Sequence, residues 1–208
     1  MKTPTTLHDA FISELRDTFD AEKQLTKALP KMAKAASSPN LRAAIEAHLQ
    51  ETRDQVERLS RVFESIGEKA RGKHCDGMAG IIEEAKSTLE EDADEATMDA
   101  RLIAAAQRAE HYEMAAYGTL VAWAEAMGHD EAVQLLQETL DEEKAADEKL
   151  TSLAEGGINR QAARIAHGDT EDEPETTSPA ATRRGATPPA ARAGGRATAT
   201  RASASRTR

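Results

Sequence analysis

Apolar residues recur at spacings of three and four along most of the chain, the pattern of helices with one buried face. The first stripe, Phe11, Leu15, Phe19 (or Glu22), Leu25, Leu29 and Met32, predicts a helix from about Leu7 to Ala36. Thr6 is placed to cap it, with Asp9 in the first turn. Pro30 lies inside and should kink the helix or cost it one hydrogen bond. Because the stripe continues beyond the proline, the helix is expected to continue too. SSPN at 37–40 is a break, and a second stripe follows on Leu41, Ile45, Leu49, Thr52, Val56, Leu59, Phe63 and Ile66. It predicts a helix from about Pro39 to Ile66, ended by Gly67. EKARGKHCDG reads as loop and Met78 to Glu90 as a short helix within a connection. A third long helix is expected from about Glu95 to Met127, ending at Gly128, and a fourth from about Asp130 to Ala154, stopping at Gly156-Gly157.

The connections between the long helices are short, long, short. A short turn makes antiparallel neighbours, and a link of about 30 residues lets the chain cross the length of a bundle. The expected fold is therefore all-α: a ferritin-like four-helix bundle of two antiparallel hairpins, joined by a long crossover that contains a short fifth helix. Composition agrees. The chain is 39% hydrophobic, much of it Ala, and 31% charged, with no β-branched runs, and such residues lose little entropy in a helix.

From about His167 the composition changes to Thr, Ala, Pro, Gly and Arg with almost no large apolar residue. The bundle is assigned to residues 1–158, and 159–208 to a disordered basic tail, since such a segment cannot bury enough surface to offset the entropy of ordering. The net charge of −10 conceals a split. Residues 1–175 hold 20 Lys and Arg against 37 Asp and Glu, a balance of −17, while residues 176–208 hold seven Arg and no acid, +7. An acidic body argues against a nucleic-acid binder. Two readings of the tail stay open: contact with nucleic acid or another anionic partner, and a solubilising linker, which is favoured. Cys75 is the single cysteine, and there is neither a long apolar run nor a signal-peptide core. A soluble, cytoplasmic protein without a membrane span is expected.

The chemistry is suggested by RAEHYEMAAYGTL, residues 108–120. Glu110 and Tyr117 stand two helical turns apart and share a face that points inward. A buried carboxylate is costly unless it is paired, protonated or bound to a metal. The two hairpins also resemble each other: DAEKQLTKAL (20–29) aligns with RAEHYEMAAY (108–117), setting Glu22 on Glu110, and HLQETRDQVERL (48–59) aligns with TLDEEKAADEKL (139–150). The second alignment puts Glu51 on Glu142 or, slipped by one, on Glu143 with Gln55 on Asp147. One glutamate per helix at one height makes a carboxylate cage. Without a cation its members would raise one another's pKa values, and two iron or manganese ions would relieve them. The candidate ligands are Glu22, Glu51, Glu110, Glu143 and Asp147, with His48, Gln55, Glu142 and Glu113 as further candidates and Tyr117 as a hydrogen-bond partner of a ligand. Glu143 is preferred to Glu142 because it lines up with Leu136, Leu140 and Leu150. His111 and Glu113 read as exposed or as lying behind the ligands, and Cys75 as a small buried hydrophobe rather than half of a metal pair with His74. No Lys or Arg falls on the inner stripes. The Glu-x-x-His pairs usual in di-iron bundles are missing.

LHDAFISELRDTFDAEKQLTKALPKMAKAA, HLQETRDQVERL, IIEEA, IAAAQRAEHYEMAAYGTL and ETLDEEKAADEKL together resemble the YciE/YciF family of bacterial stress-associated ferritin-like proteins, over roughly residues 5–155. The resemblance implies a helical bundle, dimerisation, a cytoplasmic stress setting and a di-metal centre, but no particular reaction. It places Glu22, Glu51, Glu110, Glu143 and Asp147 at the matching acidic positions, and Gln55 and His48 match as well. Two functions follow: a di-metal protein that handles iron or peroxide, with a di-iron oxidoreductase as its enzymatic form, and a non-catalytic dimeric protein for stress protection or partner binding, whose carboxylates are structural.

Overall fold

The computed structural model describes residues 5–168 of the chain. The first hairpin is α1 (Leu7–Ala35) and α2 (Pro39–Ser65), and the crossover contains α3 (Asp76–Glu90). The second hairpin is α4 (Glu95–Met127) and α5 (Asp130–Leu153). A π-turn over Ala154–Ile158 then leads into α6 (Asn159–His167). This is the ferritin-like order expected from the connection lengths, and α1 runs unbroken through Pro30.

The helix ends follow local chemistry. Thr6 and Asp9 form a reciprocal cap: Thr6 Oγ1 accepts from the Asp9 amide at 3.1 Å and Asp9 Oδ2 from the Thr6 amide at 3.2 Å. Pro39 opens α2 behind the Ser38 cap. Gly128 ends α4 at φ 72, in the left-handed region that a side chain disfavours. Cys75 is fully buried and caps α3, its Sγ accepting from the Met78 amide at 3.3 Å, while His74 is exposed beside Asp20. The expected stop at Gly156-Gly157 is not a stop. Gly157 takes φ 155, ψ −28, which lets the chain swing through a wide turn and resume as a helix. Residues 159–167, assigned by composition to the tail, are therefore helical, because the glycines redirect the helix and the Arg- and Ala-containing segment beyond them is itself a good helix former. The remainder of the expected tail lies outside the described residues. Among the described residues, no helix is long and apolar enough to cross a membrane.

The interior has two apolar clusters. At the end where α4 turns into α5, Phe11, Leu15, Phe19, Phe63, Leu120 and Leu136 pack together, with Phe19 edge-on to Phe63. At the end where α1 turns into α2 the core is Leu25, Leu29, Met32, Leu41 and Leu102 among many alanines, with Cys75 and Met78 of the crossover laid against them. Asp99, in the second turn of α4, ties this end together. Its carboxylate accepts from the Ser37 and Ser38 amides at 2.8 and 2.7 Å, so the α1–α2 turn is fastened to the second hairpin.

Candidate metal centre

Between the two clusters lies a layer of polar side chains drawn from all four long helices. Glu110, Glu113 and Tyr117 follow one another on α4 at spacings of three and four and share one face. Glu22 comes from α1, Glu143 from α5, and His48 and Gln55 from α2, all buried. His48 Nε2 lies 3.3 Å from Glu110 Oε1 and 4.0 Å from Glu143 Oε2. One potential ligand atom from each of His48, Glu110, Glu113 and Glu143 lies within 4.8 Å of the others, a cluster that could hold a metal ion. Glu22 adjoins it: its Oε1 accepts from the Tyr117 hydroxyl at 2.5 Å, and its carboxyl faces that of Glu113. Gln55 Nε2 donates to Glu143 Oε1 at 2.5 Å and to Glu142 Oε2 at 3.0 Å.

The electrostatics of this layer are adverse. Burial raises the pKa of Glu22, and the charge of Glu143 adds to it against the Tyr117 hydrogen bond. Burial also raises Glu110, reinforced by its contact with Glu143, and raises Glu113, reinforced by Glu22. Glu143 rises less, because burial is countered by Glu110, His48 and Gln55. The Tyr117 hydroxyl is pushed far up by burial and by Glu22 and Glu113. Five carboxyl oxygens meet no N–H or hydroxyl donor: Glu22 Oε2, Glu110 Oε2, both of Glu113, and Glu143 Oε2. Among the described residues, no Lys or Arg pairs with any of these four glutamates. Two nearby cations are engaged elsewhere. Arg58 bonds Glu142, Thr139 and Glu138, and Lys23 sits 3.9 Å above the Phe19 ring. Orphaned buried oxygens of this kind call for a proton or a cation.

Several expected site residues stand elsewhere. Glu51 does not face inward. Its side chain is 49% exposed and meets His48 Nδ1 at 3.4 Å, so α2 places an imidazole in the layer and the carboxylate behind it. The reason is angular: His48, Thr52, Gln55 and Leu59 are the buried line of α2, and Glu51 is rotated about 100° from Thr52. Asp147 is half-buried outside the cluster, accepting from Gln107 at 3.0 Å and lying 3.3 Å from exposed His111. Glu142 turns outward to Arg58, and Glu143, its neighbour, is the one inside. Glu113, a further candidate that also read as exposed or as lying behind the ligands, is 1% exposed and belongs to the cluster. Its signal was present in the three-residue spacing from Glu110.

Residues 6–163 match the model of a family described as a domain of unknown function, DUF892. The chain is 50% identical over 158 residues to protein YciF of Escherichia coli strain K12, covering 76% of this chain and 95% of that protein. The crystal structure of the E. coli stress protein YciF superposes with a TM-score of 0.73 at 49% identity, covering 76% of this chain and 99% of that one. YcfI from Rhodopseudomonas palustris gives 0.71 at 46%, covering 73% and 96%. A protein from Xanthomonas campestris pv. campestris gives 0.60 at 21%, covering 77% and 99%, a likeness of fold alone. With its ferritin-like bundle, this chain belongs to the YciE/YciF family.

Proposed function

We propose that the protein is a ferritin-like stress-response protein whose buried layer holds two divalent ions, iron or manganese, among Glu22, His48, Glu110, Glu113 and Glu143, and that it handles iron or peroxide. The observation that carries this reading is the set of five buried carboxyl oxygens without a donor, on glutamates that pair with no Lys or Arg among the described residues. Four ionised glutamates bring a charge of about −4, which two divalent ions would neutralise. An oxygen-rich set with one imidazole suits iron or manganese better than zinc or copper. Bound there, such ions supply electron exchange with oxygen or peroxide.

The surrounding residues hold the ligands in place. Tyr117 orients Glu22 through its hydroxyl, and Gln55 fixes Glu143 from the opposite side. Glu51 holds the His48 ring by Nδ1, leaving Nε2 turned into the layer, a carboxylate–histidine arrangement that raises imidazole basicity toward a metal. The resemblance to the E. coli stress protein supports the stress role. Within this proposal the molecule is a cytoplasmic homodimer, and the basic stretch 176–208, seven Arg and no acid, serves as a solubilising linker.

A second reading, in which the layer is structural and fixes helix register with its carboxyls protonated, is favoured by the fully paired rim. Glu51, Glu142 and Asp147 all have partners, and the R. palustris relative is provisionally described as a structural protein. Metal content separates the two. Protein purified without chelator should carry about two iron or manganese ions per chain, and a Glu22→Ala/Glu110→Ala variant should carry none. No metal in the wild type after anaerobic reconstitution with ferrous iron would overturn the di-metal reading in favour of the structural one.

A further inference from the structure

Below Arg58 the α2–α5 seam opens. Near Arg58 the two helices are bridged by Gln55 and Arg58 reaching Thr139, Glu142 and Glu143. Toward the α1–α2 turn, the facing residues are Ala44 and Ala47 on α2 and Ala145 and Ala146 on α5, too short to meet. They leave a cavity of about 230 Å³. Its inner end is Glu110 and His48, two members of the polar layer.

We propose that this cavity binds a small organic molecule with an apolar body and one hydrogen-bond-donating head, an alcohol or a primary amine, with the head against Glu110 and His48. Three observations carry it. First, size: an apolar cavity of about 150 Å³ already admits benzene, so this one exceeds what an ion or dioxygen requires and matches a ring with a short substituent. Second, the inner end carries acceptors: Glu110 is 2% exposed and lines the cavity beside His48, its Oε1 3.3 Å from His48 Nε2. A buried acceptor at the bottom of an apolar pocket selects a ligand that brings a donor. Third, charge: at the mouth Lys149 is matched by Glu51, with Glu142 engaged by Arg58, so no surplus positive charge is left there to draw in a carboxylate or phosphate. That the layer acts on the bound molecule rests on the metal reading above; that the cavity binds it does not.

The test uses the full-length protein, metal-free and loaded with Mn(II), with benzyl alcohol and benzylamine as probes and benzoate as the charge-reversed control, read by ligand-observed NMR. Both donor probes should bind metal-free protein, and benzoate should bind at least about tenfold more weakly. Ala47 and Ala145 are exposed on their helices, so Ala47→Phe/Ala145→Phe can lie across the cavity without entering the core. It should weaken both donor probes by at least about tenfold, and Ala145→Leu alone should do so to a smaller degree. In the Mn(II) form, the probe's methylene protons should relax faster than its para ring proton, because the head points inward. Absence of probe binding, benzoate binding equally well, or indifference to the Phe substitutions would overturn the proposal. So would a dimer that falls to monomer in the Phe variant while probe binding is absent, since a second copy would then occupy the groove. Metal-free protein that binds the probes yet takes up no metal keeps the cavity and sinks the metal reading; protein that takes up metal but no probe does the reverse.

Discussion

The two apolar clusters on either side of the polar layer are built on different principles. Of the 14 buried residues in the cluster beside the α4–α5 turn, two are alanine and four are aromatic; of the 18 in the other, eight are alanine and none is aromatic. Large interlocking side chains hold one end of the bundle, whereas small ones let helices approach in places and gape in others. The cavity opens at the alanine-rich end, and the crossover is laid against that end too. A bundle that must be rigid around buried charge and yet admit something to it can divide those tasks between its halves.

The contrast can be tested first through the layer itself, where the largest effect is expected because several carboxyls change charge together. In the folded state the pKa values of Glu22, Glu110, Glu113 and Glu143 all lie above the ordinary value of 4.5. Above that value the native state binds more protons than the unfolded one, so stability falls as pH rises through the raised folded pKa values. Metal-free protein should therefore melt at a lower temperature at pH 8 than at pH 5, and Glu113→Gln should flatten that slope. Mn(II) should reverse the order, because ligation needs the ionised carboxylates. A chelated protein that gains stability toward pH 8, with Glu113→Gln unchanged, would contradict the assignment.

Next in size is a pair of truncations. Phe63→Ala should cost about 3–5 kcal/mol in a denaturant titration, the range for a buried aromatic. Leu150→Ala, at the cavity wall where fewer contacts are lost, should fall near about 2 kcal/mol, the low end for such changes. Equal costs would mean that the two halves pack alike. Smallest is Arg58→Ala, expected to cost about 1 kcal/mol because its partner Glu142 is partly solvated. The same measurement gauges how far the closed part of the α2–α5 seam depends on that bridge.

The fold was legible because hydrophobic period, caps and connection lengths agreed along four long helices. Glu22, Glu110 and Glu143 could be placed in the interior from the same stripes. What went astray is concentrated at the layer. On α2 hydrophobicity picks Leu49 and Val56 for the inner line, but both are only partly buried, while His48 and Gln55 are buried beside them. A polar residue on a buried line breaks the periodic signal at the place where the chemistry is. Glu113, only a further candidate from the sequence, was ranked too low for a related reason. α4 is buried on more than one side, against α1, α3 and α5, so no single stripe marks its inner face. The glycine pair at 156–157 reads as a terminator by composition, and only the backbone angles reveal a hinge between two helical segments.

The Asp99 clasp on the α1–α2 turn has a metrical consequence. From Ser37 to His48 is eleven residues, and from Asp99 to Glu110 is also eleven. Nearly all of both stretches is helical, and α2 and α4 set out from this clasp in the same direction. At 1.5 Å per residue each helix advances about 16 Å, so the two side chains arrive at one level. The clasp is thus the zero mark of two equal rulers, and His48 meets Glu110 because both are counted from it. Removing one residue from either stretch would shift that side chain by about 1.5 Å and turn it by about 100°, taking it out of the layer while leaving the helix intact.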